Sequence, residues 1–244
     1  MNFVPCDECA LRQLARFKRF SAPELAYVKA LKSGQIELPA RQTIIEPGAY
    51  DDRLYTLYSG WAFRYRLTSG GQRQIIEVLL PGSLIGLQQL MLGHSDSGVE
   101  SLTPVTLCVL SGRTLKQLFV QFGDLSDAMV LALMEDQRRG DTRLALVSRL
   151  PAPARLAYFL LELFDRLVAL DMVKGDWCYF PLQRRHIADL LGLSDTHVSR
   201  SMKELRQRHL ASIDSSSLSI LDRRQMTAFS GYMMPEKHAP RLLL

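Results

Sequence analysis

IADLLGLSDTHVSRSMKEL, residues 187–205, holds two short amphipathic runs separated by Gly192-Leu193-Ser194. The first run extends back to Gln183 and turns Ile187, Ala188, Leu190 and Leu191 inward. The second is expected over Thr196 to Arg208, with Val198, Met202 and Leu205 on its buried face. Ser194 is a helix cap, and the small Ala188 permits two helices to cross closely. A helix, a glycine-containing turn and a second helix form the pattern of a helix-turn-helix. The opposite face of the second helix carries Thr196, His197, Ser199, Arg200, Lys203 and Arg206. Arg pairs bidentately with guanine, and hydroxyls and His reach base edges or phosphates, so double-stranded DNA is the expected partner. Six basic residues face three acidic ones in 181–210 (Arg184, Arg185, Arg200, Lys203, Arg206, Arg208 against Asp189, Asp195, Glu204). The alternative is a solvated basic face on a helical hairpin.

Downstream, Ala211-Ser212-Ile213 and Leu218-Ser219-Ile220-Leu221 flank Asp214-Ser215-Ser216-Ser217, the pattern of a β-hairpin wing. Upstream, Pro151 and Pro153 open an intensely apolar helix over Arg155–Leu170, whose stripe reads as core. Before it, Asp124 to Arg149 predicts a long helix. Its stripe of Val130, Leu133, Met134, Leu144 and Val147 suits a two-helix seam, interrupted by Gln137, Gly140 and Asp141. A homodimer through Val130, Leu133, Met134, Gln137 and Leu144 is the expectation; a helix packed only on its own sheet is the alternative.

The N-terminal half changes character. Ser21 followed by Glu24 is a capping-box helix start. Thr114 to Phe122 is expected to be a short helix. Between them, Thr43–Ile45, Leu54–Tyr58, Trp61–Leu67, Gln74–Leu80 and Val105–Leu110 alternate with Gly- and Pro-bearing breaks about every ten residues. The expected fold is α+β: an antiparallel β-roll sensor domain (1–123), a dimerisation helix (124–149) and a winged helix-turn-helix (150–244). The basic, Met-rich stretch after Gln225 reads as a partly ordered appendage.

Composition sets the outer bounds. The chain has 244 residues, 47% hydrophobic and 23% charged, with a net charge of +5, ordinary for a globular protein and only mildly basic. Four irregularly spaced cysteines make no disulfide framework. The apolar run Ala157–Leu161 stops at Glu162, far short of the about 20 residues a membrane helix needs, and Met1 to Cys9 has no export signature. A cytoplasmic location without membrane contact is expected. A jelly-roll enzyme would need clustered His and Glu ligands, yet of five His only His94 lies in the roll.

Together, EPGAYDDRLYTLYSGWAFRYRLTSGGQRQI (46–75), LPGSLIGL (80–87) and the 187–205 stretch resemble the CRP/FNR superfamily of bacterial transcription regulators, over roughly residues 6–222. The resemblance implies a homodimer on a palindromic site, with RNA polymerase as a partner. Cyclic-AMP-binding members carry Gly-Glu and, later, Arg-Ser in a phosphate cassette. Here Pro81–Gly86 and His94–Gly98 stand in that place, with no Arg or Lys between Gly82 and Ser111, so cyclic AMP is not the expected ligand. The FNR branch is nearer. Its oxygen sensors hold a [4Fe–4S] cluster on three N-terminal cysteines and one in the roll. Cys6, Cys9 and Cys108 match three of these, while Ala15 stands where a cysteine is expected. A cluster, a thiol or disulfide switch, and cysteines without metal all remain open, as does a regulator free of effector or controlled by a small ligand. Cys178 reads as packing. Thr196 replaces the Glu of the family's recognition helix, whereas Ser199-Arg200 keeps its Ser-Arg.

Overall fold

The structure, a computed structural model, describes residues 4–112, 115–234 and 240–244. It divides into two compact units, Met1–Asp136 with Ala239–Leu244, and Gln137–His238. The boundary falls inside the long helix, between Asp136 and Gln137. The last residues join the sensor unit, because their leucines are buried there rather than beside the DNA-binding elements.

In the first unit, α1 (Ala22–Leu31) starts at the expected capping box: Ser21 Oγ accepts from Glu24 N–H, and Glu24 Oε2 accepts from Ser21 N–H at 2.7 Å. Two four-stranded antiparallel sheets follow. The chain runs β1 (Lys32–Leu38), β2 (Thr43–Ile45), β3 (Arg53–Ser59), β4 (Ala62–Leu67), β5 (Arg73–Leu79), β6 (Leu84–Ile85), α2 (Leu87–Leu92), β7 (Gly98–Ser101) and β8 (Val105–Ser111). One sheet has the order β1-β8-β3-β6 and the other β2-β7-β4-β5. Strand alternation gives the first sheet two working faces. Tyr55, Leu57, Leu107 and Val109 point between the sheets, where they meet Ile45, Ala62, Leu79 and Val99. Leu54 and Leu110 point the other way and pack with Val28, Leu31 and residues of α3 (Leu115–Gln121) and α4 (Gly123–Arg149). Thr56 and Cys108, cross-strand partners, share that outer face with Gln35, which pairs opposite Cys108. Thr114, where the short helix was expected to begin, lies outside the described residues.

The second unit is built on α5 (Ala152–Val168), which is buried along Leu156, Phe159, Leu160, Leu163 and Leu167. Against it pack α7 (Asp195–Gln207) and α8 (Arg223–Ser230). A small sheet of order β11-β12-β10-β9 joins β9 (Val173–Lys174), β10 (Trp177–Tyr179), β11 (Ala211–Asp214) and β12 (Ser217–Ile220). Of the described residues after Gln225, Tyr232 is tied to α5: its hydroxyl donates to Asp165 Oδ2 at 2.7 Å, the carboxylate that Arg223, just before this stretch, holds at 2.8 Å. Among the described residues no helix is long and apolar enough to cross a membrane.

Candidate nucleic-acid interface

α6 (Arg184–Leu191) ends at Gly192, whose φ of +62° is the left-handed turn that lets Leu193 N–H return to Ala188 O at 3.1 Å. Ser194 then caps α7, accepting from His197 N–H at 3.3 Å, while its hydroxyl also meets His197 Nδ1 at 2.9 Å. Ile187, Leu190, Leu191, Val198 and Leu205 are buried, and α7 packs on both α6 and α5. The α7 surface is thereby fixed: Thr196, His197, Arg200, Lys203 and Arg206 are exposed and Ser199 is half-buried.

The structure divides these six by what else they touch. Arg200 and Lys203 have no side-chain partner among the described residues. Ser199 Oγ accepts from Arg184 Nη1 at 3.1 Å, so α6 contributes a cation beside the recognition helix. Arg206 is committed to the wing, where it pairs with Asp214 and donates to Ser212 Oγ at 3.0 Å. Arg184 and Asp214 lie in the basic helix and the wing, but no local pattern in the sequence pairs them with Ser199 and Arg206.

Arg155 is a further residue that sequence reading passed over. Its guanidinium donates to Val147 O (2.8 Å), Leu150 O (3.0 Å) and Leu191 O (2.8 Å), and burial pulls its pKa down. One side chain thus ties the end of α4 to the end of α6. Its partners are carbonyls, which leave no trace in a sequence.

The expected seam residues on α4 are exposed. Val130, Leu133, Met134 and Leu144 are 49%, 44%, 53% and 72% accessible, and Gln137 is also open. Only Leu125, Ala128 and Met129 of this 27-residue helix are buried. An apolar stripe left open in this way is the kind of surface that associates with another chain.

The family model of the cyclic nucleotide-binding domain matches residues 35–122, and that of the Crp-like helix-turn-helix domain matches 154–229. The chain belongs to the CRP/FNR family. Within this CRP/FNR family, it is 25% identical to the nitrogen fixation regulation protein FixK of Bradyrhizobium diazoefficiens, over 92% of this chain and 93% of the relative. It is 24% identical to the fumarate and nitrate reduction regulatory protein of Salmonella typhimurium, over 94% and 91%. The structure of FixK2 from Bradyrhizobium japonicum superposes with a TM-score of 0.73 at 21% identity, covering 82% of this chain and 98% of that one, and shares the fold. These relatives lie on the FNR-like side of the CRP/FNR family and are regulators rather than enzymes. The chain is accordingly a DNA-binding regulator of CRP/FNR type.

That membership raises the iron–sulfur question, which the residues themselves address. Cys6, Cys9 and Cys108 line one cavity on the outer face of the first sheet. Val4 N–H donates to Gln35 Oε1 at 2.9 Å, and Lys32 Nζ donates to Val4 O at 2.6 Å, so the N-terminal segment is laid along β1. Gln35 Nε2 in turn donates to Cys108 Sγ at 3.3 Å. Burial pushes the Cys108 thiol up. Arg12 shares the cavity; burial lowers its pKa, and the neighbouring cysteines partly offset that. The cavity is about 20 Å³, room for one water. Leu243 and Leu244 form another part of its wall. Ala15 is exposed and offers no donor. Lining one cavity is not ligand geometry: among the described residues no three His, Cys, Asp or Glu are grouped to hold a metal ion. A [4Fe–4S] cube does not fit these residues as placed: the cavity that the three cysteines line has room for about one water, and Ala15 supplies no fourth thiolate. Cys178 is elsewhere, buried in β10, and burial pushes its thiol up to about 11.

Proposed function

We propose that the chain is a homodimeric transcription regulator that reads a two-fold palindromic DNA site and answers a redox, oxygen or nitric-oxide type signal through Cys6, Cys9 and Cys108. The exposed, rigidly mounted face of α7 carries this reading. Arg200 is the main base reader, assisted by Thr196, His197 and Ser199; Lys203 holds phosphate, which sets affinity rather than sequence. Arg206 takes phosphate only by exchanging Asp214 for it, and otherwise sets the wing against the helix. The open stripe of α4 supports the homodimer, and two recognition helices then enter successive major grooves about one turn apart. Contact with RNA polymerase follows from the CRP/FNR resemblance, and a cytoplasmic location fits a DNA-binding regulator.

The signal acts by differential affinity for two states of the dimer. As placed, the three cysteines support thiol chemistry, and a cluster requires the N-terminal segment to rearrange. Anaerobic purification with iron and sulfide assays separates the two: about four irons per chain establishes the cluster, and an iron-free protein leaves the thiols. For the DNA reading, a labelled palindrome is titrated at several salt concentrations. Saturable binding that weakens steeply with salt and exceeds binding to random DNA is expected; equal affinity for both DNAs overturns sequence-specific reading.

A further inference from the structure

Residues 241–244 do not end in solvent. Arg241 forms a parallel β-bridge with Phe17: its N–H donates to Arg16 O at 2.8 Å, and its carbonyl accepts from Lys18 N–H at 2.9 Å. Its guanidinium donates to Asp136 Oδ1 at 2.7 Å and lies 3.7 Å from Glu135 Oε2. Leu242, Leu243 and Leu244 are 7%, 2% and 6% exposed. Leu242 and Leu244 join the core formed by Leu54, Leu110 and Met129, and Leu244 O accepts from the buried Thr56 hydroxyl at 2.6 Å. Beside them a cavity of about 50 Å³, bordered by Gly82, Leu84, Leu87 and Leu133, is left unfilled.

These contacts read three separate properties of the segment. Backbone pairing with residues 16–18 selects an extended chain. Two carboxylates select a cation at its first position. The outer face of the first sheet selects aliphatic side chains after it. Such a division of labour, main-chain bonds for affinity and pockets for side chains, is how sheet edges and grooves capture extended peptides. We propose that the sensor unit carries a binding site for an extended peptide of one arginine followed by leucines, filled in this structure by residues 241–244 of the chain itself. A tethered segment meets its site at an effective concentration near the millimolar range, so free peptide competes poorly while the chain's own segment is seated. Asp136 precedes Gln137, and Leu133 borders the cavity, so the filled site also grips the part of α4 that bears the open stripe. The inference does not depend on how the chain reads DNA.

The test uses the full chain carrying L242D and L244D, which vacates the site, and a fluorescein-labelled peptide of sequence Pro-Arg-Leu-Leu-Leu. Saturable binding by anisotropy, at least tenfold tighter than to the unaltered chain, is expected. Adding D136N is expected to weaken it about tenfold, and a peptide with Asp in place of Arg is expected to lose it. No saturable binding to a double variant that keeps its thermal transition overturns the proposal, as does equal binding to the unaltered chain. Should the double variant not fold, hydrogen exchange on the unaltered chain decides. The Lys18 and Arg241 amides are expected to be protected, and exchange at the rate of free peptide overturns the site.

Discussion

Arg200 and Lys203 stand one turn apart on α7, exposed and without side-chain partners among the described residues, yet the roles proposed for them differ by chemistry. A planar guanidinium makes two parallel bonds to one guanine edge; a flexible ammonium is a point charge for phosphate. Arg200→Ala should cost roughly 1–3 kcal/mol on the cognate site and relax preference at one base pair. Lys203→Ala should weaken cognate and random DNA alike and lower the salt slope by about one. Anisotropy titrations on both DNAs at several salt concentrations check the pair; interchanged behaviours would refute the assignment. Cys178 has a different kind of consequence. Its folded pKa, about 11, lies above the unfolded value, so the stability that this burial contributes is complete below about pH 8.5. It is lost as pH rises from there through 11. Urea melts of the chain and of Cys178→Ala at pH 7.5 and 10 should therefore show the larger decline in the unaltered chain. Parallel declines would mean that Cys178 is not the group responsible.

α4 is the element on which the proposed association turns. Val130 and Met134, one turn apart, are about half exposed, so charging both should leave the fold standing while removing apolar contact with a second copy. Val130→Asp with Met134→Asp is expected to give a monomer by analytical ultracentrifugation with an unchanged circular dichroism spectrum. A retained dimer would place the interface elsewhere. Gly140 lies on the same helix, exposed, with open space where a Cβ would sit. Gly140→Ala should stabilise α4 by about 1 kcal/mol, the difference in helix propensity, read as a higher Tm. Elements of this kind were legible in advance because each carries its own signal. Ser21 with Glu24 marks α1, Gly192 and Ser194 mark the turn before α7, and the prolines at 151 and 153 mark α5. β1 was not legible: KSGQIEL offers only Ile36 and Leu38 as apolar residues, and its register comes from β8 rather than from its own pattern. The two-residue β6 and β9 are likewise defined only by their partners. At the DNA-facing site the side chains could be named from helical periodicity, whereas the links from Arg206 to Asp214 and from Arg155 to three carbonyls join segments that no local pattern connects.

At the scale of the whole molecule, the proposed dimer turns one modest contact into a specific one. Each α7 presents only a few base-reading groups, enough for a half-site of low affinity. Two recognition helices held by one α4 seam make the second contact intramolecular, so the palindrome gains by effective concentration what neither half-site has alone. That gain depends on phase. Half-sites one turn of B-DNA apart, about 34–36 Å, face the same side of the duplex; inserting about five base pairs turns one to the far side. The insertion should therefore reduce affinity to that of a single half-site, whereas inserting a full turn should restore part of it. The same collapse should follow, without touching the DNA, from Val130→Asp with Met134→Asp. On the half-turn operator the two perturbations should then be non-additive, because each removes the same bivalent term. Additive losses in a double-perturbation cycle would mean that the α4 stripe and the spacing of the recognition helices act independently. The seam would then not be what couples the two readers.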